Sequence, residues 1–262
     1  TILRTHVMRP TWHFVTPDDI RWLLELTAPR VNALSAYYFR QTELDDALFT
    51  RSNAIIVKAL QGNQHLTRAE LGSALAQAGI VAEGVRLSYI MMRAELDAVV
   101  CSGPRRGKQF TYALLAERAP QARILPRDEA LAELTRRYYT GHGPATLRDF
   151  VWWSGLTVAD AKTGLDMNTA HLDHAEIDGE TYWFSASMPA TVEPSLTAFL
   201  LPTFDEFLVG YAGFDQARLG GQECSEPVPY YSTIVIGDRI VGSWRRTLKN
   251  KSAVIEIAPF SP

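Results

Sequence analysis

The sequence predicts an α+β fold in which capped helices alternate with short hairpins and a run of strands closes the chain. Three observations carry this. Two helices between residues 67 and 97 run straight into two short strands around a basic turn. The same helix-then-hairpin order returns between residues 128 and 185. From residue 233 the pattern changes to short strands separated by turn residues.

Residues 2–15 read as a strand, a break at Arg9-Pro10 and a short extended continuation. Thr16-Pro17-Asp18-Asp19 opens a helix, with Thr16 as N-cap, Pro17 at the first helical position and acids in the first turn. Ile20, Leu23, Leu24 and Thr27 form its buried side, and Pro29 stops it. Two helical stretches follow between Val31 and Gln61; the second, Asp45 to Leu60, turns Leu48, Ile55, Ile56 and Leu60 inward, and Gly62-Asn63 breaks it.

Thr67 and Glu70 have capping-box spacing: the hydroxyl accepts from an early helical N–H and the carboxylate reaches back. Leu71, Leu75 and Ala78 recur at helical spacing until Gly79. A second helix from Val85 to Asp97 carries Leu87, Ile90, Met91, Ala94 and Leu96 as its apolar stripe. A strand (Ala98–Cys101), a tight turn (Ser102–Gly107) and a second strand (Gln109–Leu115) complete the unit. Helix, turn, helix and two-stranded wing describe a winged helix, a scaffold that commonly holds DNA.

After a linker, Glu117–Pro126, a helix is expected over Asp128–Tyr139, closed by Gly141-His142-Gly143-Pro144. Thr146 and Thr157 cap two further helices, and the Asp178-Gly179 turn joins hairpin strands at 171–177 and 181–185. Thr67 and Thr146 open corresponding helices, so the pattern repeats without repeating residue identities. The run at 2–15 then reads as the wing of a first unit whose helices precede residue 1. Phe199–Tyr211 is apolar with a paired acid, 212–229 is a Gly- and Pro-rich loop, and strands at 233–236, 239–248 and 253–257 form an antiparallel meander. The expected domains are 1–30 (remnant of a first winged helix), 31–118 (second), 119–198 (third) and 199–262 (C-terminal β element).

With 262 residues, 47% hydrophobic and 21% charged, the chain can bury more than one core. It contains no apolar run of membrane-span length and no signal-peptide pattern at its start. Two cysteines, Cys101 and Cys224, cannot make a disulfide framework and read as thiols of a reducing cytoplasm. A net charge of −3 excludes a uniformly basic nucleic-acid binder, so any grip on phosphates must come from local patches.

Two such patches stand out. Arg105, Arg106 and Lys108 crown the wing of the second unit, where basic tips touch phosphates and position a duplex without reading its sequence. Arg239, Arg245, Arg246, Lys249 and Lys251 crowd one C-terminal hairpin against a single acid, Asp238, with Trp244 read as a core ring between exposed arginines. The would-be recognition helix, LSYIMMRAEL, has only Arg86 and Arg93 as long donors nearby. Arg9, Thr11 and His13 share one face if their segment is a strand, either as a polar cleft or as a hydrogen-bonded edge. Asp205-Glu206 reads first as capping or as pairing with Arg245 or Arg246, and only second as an acid–base device. His171-x-x-His174 with Asp173 lacks further ligands and reads as a surface hairpin, Trp152-Trp153 as core, and Gly141-His142-Gly143 as a helix stop.

Five segments carry a family resemblance: LRTHVMRPTWHFV at 3–15, DIRWLL at 19–24, AELD at 94–97, LPTFDEFLVGY at 201–211 and VGSWRRTL at 241–248. Across essentially its whole length the chain resembles winged-helix DNA-binding proteins grouped with the AlkZ-like bacterial DNA glycosylases. The resemblance implies tandem winged helices with a C-terminal β element, double-stranded DNA as partner, a monomer without metal or small-molecule cofactor, no membrane association, and a cytoplasmic, nucleoid-associated location. It also implies excision of alkylated or crosslinked bases, with Arg9, Thr11 and His13 nearest the active cleft. Glycosylases of this family carry a Gln-x-Gln or Gln-x-Asp motif in the first winged helix. Gln61, Gln64 and Gln77 lie in the wrong unit and spacing, so the catalytic motif is expected upstream of Thr1. Two other readings stand beside this one: a non-catalytic, regulatory DNA-binding module, and a scaffold whose winged helices bind protein partners.

Overall fold

The computed structural model describes residues 2–189, 197–212, 232–237 and 239–260. These form two compact units, Thr1–Leu134 with Ser154–Gly164, and Thr135–Trp153 with Leu165–Pro262. Most of the loop expected at 212–229, together with Asp238 and Cys224, lies outside the described residues. Among the described residues no helix is long and apolar enough to cross a membrane.

The first unit begins with a hairpin. Strands β1 (Leu3–Val7) and β2 (Arg9–Val15) pair antiparallel, with His6 opposite Trp12 and Leu3 opposite Val15. The reversal sits at Met8, in left-handed conformation with φ +63°, one residue before the break expected at Arg9-Pro10. The Met8 N–H donates to Thr27 Oγ1 at 3.0 Å, and Thr27 in turn donates to the Leu23 carbonyl. Gly155, itself at φ +69°, lies so close that a Cβ there would run into the Met8 carbonyl.

Helix α1 (Ile20–Gln41) starts later and ends later than the sequence predicts. Residues 16–19 form a turn in which Thr16 Oγ1 accepts from the Asp19 N–H at 3.3 Å. Asp19, the N-cap, accepts from the Trp22 indole at 2.9 Å. Pro29 does not stop the helix. Its ring and missing N–H cost about 3 kcal/mol. Ile20, Trp22, Leu24, Leu26, Val31 and Phe39 are buried on both sides of it, at about 1.5–3 kcal/mol for each large side chain. Burial wins.

Helix α2 (Asp46–Leu60) is capped by Asp45, which accepts from the Leu48 N–H at 2.7 Å; Phe49, Ser52, Ile56 and Leu60 are buried. The next stretch follows the sequence closely. Thr67, the last residue of the two-residue strand β3 (Leu66–Thr67), caps α3 (Arg68–Gln77) through a complete capping box with Glu70. Helix α4 (Gly84–Leu96) leads into β4 (Val100–Ser102) and β5 (Thr111–Leu114). The strand β3, which the sequence did not suggest, makes this a three-stranded sheet of order β3-β5-β4. A one-turn helix, α5 (Leu115–Arg118), occupies the start of the expected linker.

Three more helices follow: α6 (Arg127–His142), α7 (Leu147–Ser154) and α8 (Val158–Asp166). Thr146 and Thr157 open α7 and α8 with Asp149 and Asp160 at the third position, repeating the reciprocal hydroxyl–carboxyl cap of Thr67 and Glu70. Arg127 donates to Asp160 at 2.7 Å, which ties the starts of α6 and α8.

What fixes the first hairpin is a carboxyl group. Glu95, near the end of α4, is fully buried. Its Oε2 accepts from the His6 backbone N–H at 3.1 Å and from the Trp12 indole N–H at 3.2 Å, and it is hydrogen-bonded to His6 Nδ1. The hairpin is therefore pinned to α4 from both strands. The Arg4 N–H adds a bond to Ser102 Oγ at 2.8 Å, joining β1 to β4.

In the second unit Tyr138, Tyr139 and Phe150 are fully buried. Trp152 is not core as expected: half its surface is exposed and its indole donates to the Val209 carbonyl at 3.2 Å. Strands β6 (Leu172–Ile177) and β7 (Glu180–Ser185) pair across Asp178 and Gly179, both at positive φ, as the Asp-Gly turn predicts. The C-terminal element is a four-stranded antiparallel sheet of order β11-β10-β9-β8. Its strands are β8 (Ala198–Leu201), β9 (Thr233–Ile236), β10 (Arg239–Lys249) and β11 (Ser252–Pro259), and α9 (Glu206–Val209) follows β8. Leu208, Val235 and Ile240 form its buried cluster.

Two predictions follow from the first unit. Glu95→Ala removes the shared acceptor of three donors at a buried position and should cost about 3–5 kcal/mol, measured by urea unfolding; a loss under about 1 kcal/mol would show that the tie is not structural. Second, the Glu70 carboxyl is held down to about 2, first by the Thr67 backbone N–H and then by Arg106. A depressed carboxyl stabilises the fold above its ordinary value, and that contribution fades as pH falls through the depressed one. A carbon-detected NMR titration should place the Glu70 midpoint near 2, and Arg106→Ala should raise it part of the way to the ordinary value.

Candidate nucleic-acid interface

Helix α4 spends its long donors on its own unit. Arg86 donates to the Val81 carbonyl at 2.8 Å and to the Thr42 carbonyl. Arg93 donates to Asp97 at 2.7 Å and to Asp46 at 3.2 Å, and lies over the Phe49 ring. Ile90, Met91, Met92, Ala94 and Leu96 are buried beside Glu95. This helix is a packing element with little left for base edges.

The exposed chemistry of the first unit lies along the β1–β2 hairpin and the turn that joins β4 to β5. Trp12, held by Glu95, is 47% exposed, and Phe110 on the wing is 40% exposed. The Arg4 guanidinium sits between them, 4.4 Å from the Trp12 ring and 3.8 Å from the Phe110 ring. Arg105 also lies over the same Phe110 ring, at 4.4 Å. These contacts link Trp12, Arg4, Phe110 and Arg105, joining the β1–β2 hairpin to the β4–β5 turn through cations and rings. Of the three predicted wing cations, Arg105 is among these contacts and also donates to the Lys108 carbonyl at 3.3 Å, while Lys108 itself is exposed. Arg106 is pulled back: it donates to Glu70 at 2.7 Å and to the His65 carbonyl at 2.6 Å, so its charge is largely offset. Sequence reading missed Arg4, Trp12 and Phe110, although two aromatics beside arginines in strand-like segments were visible.

Arg9, Thr11 and His13 do share one face of β2. That face carries the buried Leu3, Thr5 and Val7 of the paired strand, and His13 Nδ1 lies 3.1 Å from the Thr11 carbonyl. The opposite face, with His6, Pro10 and Trp12, borders a cavity of about 220 Å³. Cys101 is buried and its thiol is pushed up to about 12 by desolvation, which leaves it inert as a nucleophile.

In the second unit, β10 and β11 form a long hairpin whose residues beyond Trp244 are exposed. Arg245, Thr247 and Lys249 share one face with Glu256, which stands opposite Arg245; Arg246 and Leu248 share the other with Ile255 and Ile257. Among the described residues no ion pair engages Arg239, Arg245, Arg246, Lys249 or Lys251. Trp244 is half-buried at the root of the hairpin and donates to the Leu201 carbonyl at 2.9 Å. A concavity of about 860 Å³ opens there, with Thr203, Trp244, Arg245, Arg246 and Glu256 on its walls.

Among the contacts of the described residues, Asp205 and Glu206 engage partners other than Arg245 and Arg246. Asp205 caps α9 by accepting from the Phe207 N–H at 3.0 Å. Glu206 accepts from the Trp153 indole and lies 3.1 Å from His142 Nε2. His142 is thus part of a ring cluster, stacked on Tyr138 with centroids 4.6 Å apart, as well as ending α6. His174 packs against Trp183 across the β6–β7 hairpin, and among the described residues no three His, Cys, Asp or Glu side chains gather as a metal site.

A family model described as DNA glycosylase AlkZ-like matches residues 1–262. An interstrand DNA cross-link repair glycosylase of Streptomyces sahachiroi is 26% identical over 263 residues, which cover 93% of this chain and 70% of that protein. The solved structure of the Streptomyces sahachiroi DNA glycosylase AlkZ shares the fold, with a TM-score of 0.78 at 22% identity over 99% of this chain and 73% of its own. The chain belongs to the AlkZ-like DNA glycosylase family.

Proposed function

We propose that this chain holds double-stranded DNA for a glycosylase that removes alkylated or crosslinked bases. The observation that carries this reading is the β10–β11 hairpin, whose arginines and lysines are exposed and engaged by no acid among the described residues. In a protein of net charge −3, exposed cations that no acid engages among the described residues are available to phosphates. Arg105 and Lys108 on the first unit's wing are the second contact, and Arg106 contributes less because Glu70 holds it.

In this reading the segments α2–α3–α4–β4–β5 and α6–α7–α8–β6–β7 are two winged helices in series, over residues 31–118 and 119–198. The β1–β2 hairpin is the wing of a further one, and 199–262 is the C-terminal β element. The repeated hydroxyl–carboxyl caps at Thr67 and Thr146 support that division. The protein works as a monomer on nucleoid DNA in the cytoplasm. Arg9, Thr11 and His13 act as supports of the hairpin, because their side of β2 faces the buried side of β1. The glutamine-led motif that the family resemblance calls for is not in this sequence, so the chain is assigned binding and positioning.

Fluorescence anisotropy with a duplex at several salt concentrations tests this. Each phosphate contact contributes about −0.9 to the slope of log K against log salt. Arg245→Ala with Arg246→Ala should therefore flatten the slope by about 2 and weaken binding. An unchanged slope would remove the hairpin from the interface, and salt-independent binding in the wild type would favour a protein partner instead.

A further inference from the structure

The C-terminal sheet contains a strand that is paired on both sides for only part of its length. Strand β10 runs from Arg239 to Lys249 and pairs with β11 as far as Lys249 and Ser252. On its other side β9 reaches only Thr233, opposite Ser243, and β8 stops beside it at Leu201. The Trp244 N–H donates to the Ser232 carbonyl at 2.9 Å, the last bond that β10 makes on this side among the described residues. Beyond it, residues 245–249 have an open edge that spans roughly 17 Å. The concavity of about 860 Å³ at the root of the hairpin is the notch between the ends of β8 and β9 and this edge. Thr203 and Ser232 stand at its closed end, and Arg245 and Arg246 stand along its side.

Strand geometry fixes what the edge presents. Because the Trp244 N–H points toward β9, alternation turns the N–H and C=O groups of Arg246 and Leu248 the same way. Those of Arg245, Thr247 and Lys249 point to β11. An open edge with unpaired donors and acceptors is a template for another strand, and an extended peptide is the ligand that uses it. The side chains then select the sequence of that peptide. On one face the added strand meets Arg245, Thr247 and Lys249, so its residues there are acidic. On the other it meets Trp244, the stem of Arg246 and Leu248, with Ile255 and Ile257 beyond. Leu248 is 69% exposed and Ile257 60%, and apolar residues cover them. A second copy of β10 does not fit, since its own arginines and lysine would stand against these.

We propose that an extended peptide of alternating acidic and apolar residues, carried by a partner protein, adds to the open edge of β10 as a further strand. The proposal stands on that edge and does not rest on the DNA-holding reading.

The probe is a fluorescein-labelled peptide of about nine residues that alternates glutamate and valine. One control has the same residues in two blocks, and a second has the alternating order with every backbone amide methylated. By anisotropy, the alternating peptide should bind the chain at least about tenfold tighter than either control. In an NMR exchange experiment it should slow the amides of Arg246 and Leu248 at least about tenfold, and leave those of Arg245 and Thr247 unchanged. Leu248→Pro removes one N–H from the open edge, where a strand tolerates proline, and should abolish the preference for the alternating peptide. If that variant melts below wild type, the methylated peptide carries the same comparison on the unaltered chain. Equal binding of the alternating and blocked peptides would reduce the interaction to charge and overturn the strand addition. Exchange at Arg246 and Leu248 that the alternating peptide does not slow would overturn it too. Slowing by a single DNA strand of about ten nucleotides, and not by the peptide, would assign the notch to nucleic acid instead and overturn the proposal.

Discussion

A single buried carboxyl organises the first unit. Glu95 projects from the last turn of α4 and meets His6 and Trp12, residues on two different strands. Placing such a group in a dry interior costs several kcal/mol unless strong hydrogen bonds offset it. Here the offset comes from donors more than 80 positions away in sequence. The geometry that satisfies the carboxyl thereby fixes the angle of the hairpin and the attitude of the Trp12 ring. The Arg4 guanidinium stacked on Trp12 shares that placement.

The rest of the molecule distributes charge by the same logic of satisfaction. Cations near an acid are used internally: Arg86 and Arg93 brace α4, Arg106 braces the wing against Glu70, and Arg127 ties α6 to α8. Cations on the β10–β11 hairpin stand apart from this economy, because both strands extend beyond the part of the sheet that packs on Leu208, Val235 and Ile240. A net acidic protein can hold a polyanion when its unneutralised positive groups are gathered on one projecting element.

Local chemistry was the legible part of the sequence. The Thr67–Glu70 box, the Asp178-Gly179 turn and the strand boundaries around β10 each depend on a few neighbouring residues, and each was found where expected. The failures have physical causes of one kind. Pro29 was weighed by its own penalty, while the burial on either side of it decided the matter. Trp152 reads as core in the sequence, yet half of its surface is exposed in the fold. The hairpin turn moved to Met8 because Thr27, on another element, captures its N–H. The Glu95 tie and the Trp12–Arg4–Phe110 contacts join residues far apart in the chain, and no local period announces such a meeting. Charge was visible as composition, but which arginines remain available is a tertiary fact.

The central claim is that duplex DNA is held by exposed hairpins, each fixed within its own unit. Hydrogen–deuterium exchange with and without a saturating duplex reads this residue by residue. The account predicts new protection in β10–β11, in β1–β2 and around the turn that joins β4 to β5, with α4 unchanged because its donors are already engaged. Protection that centres on α4 and spares the hairpins would contradict it.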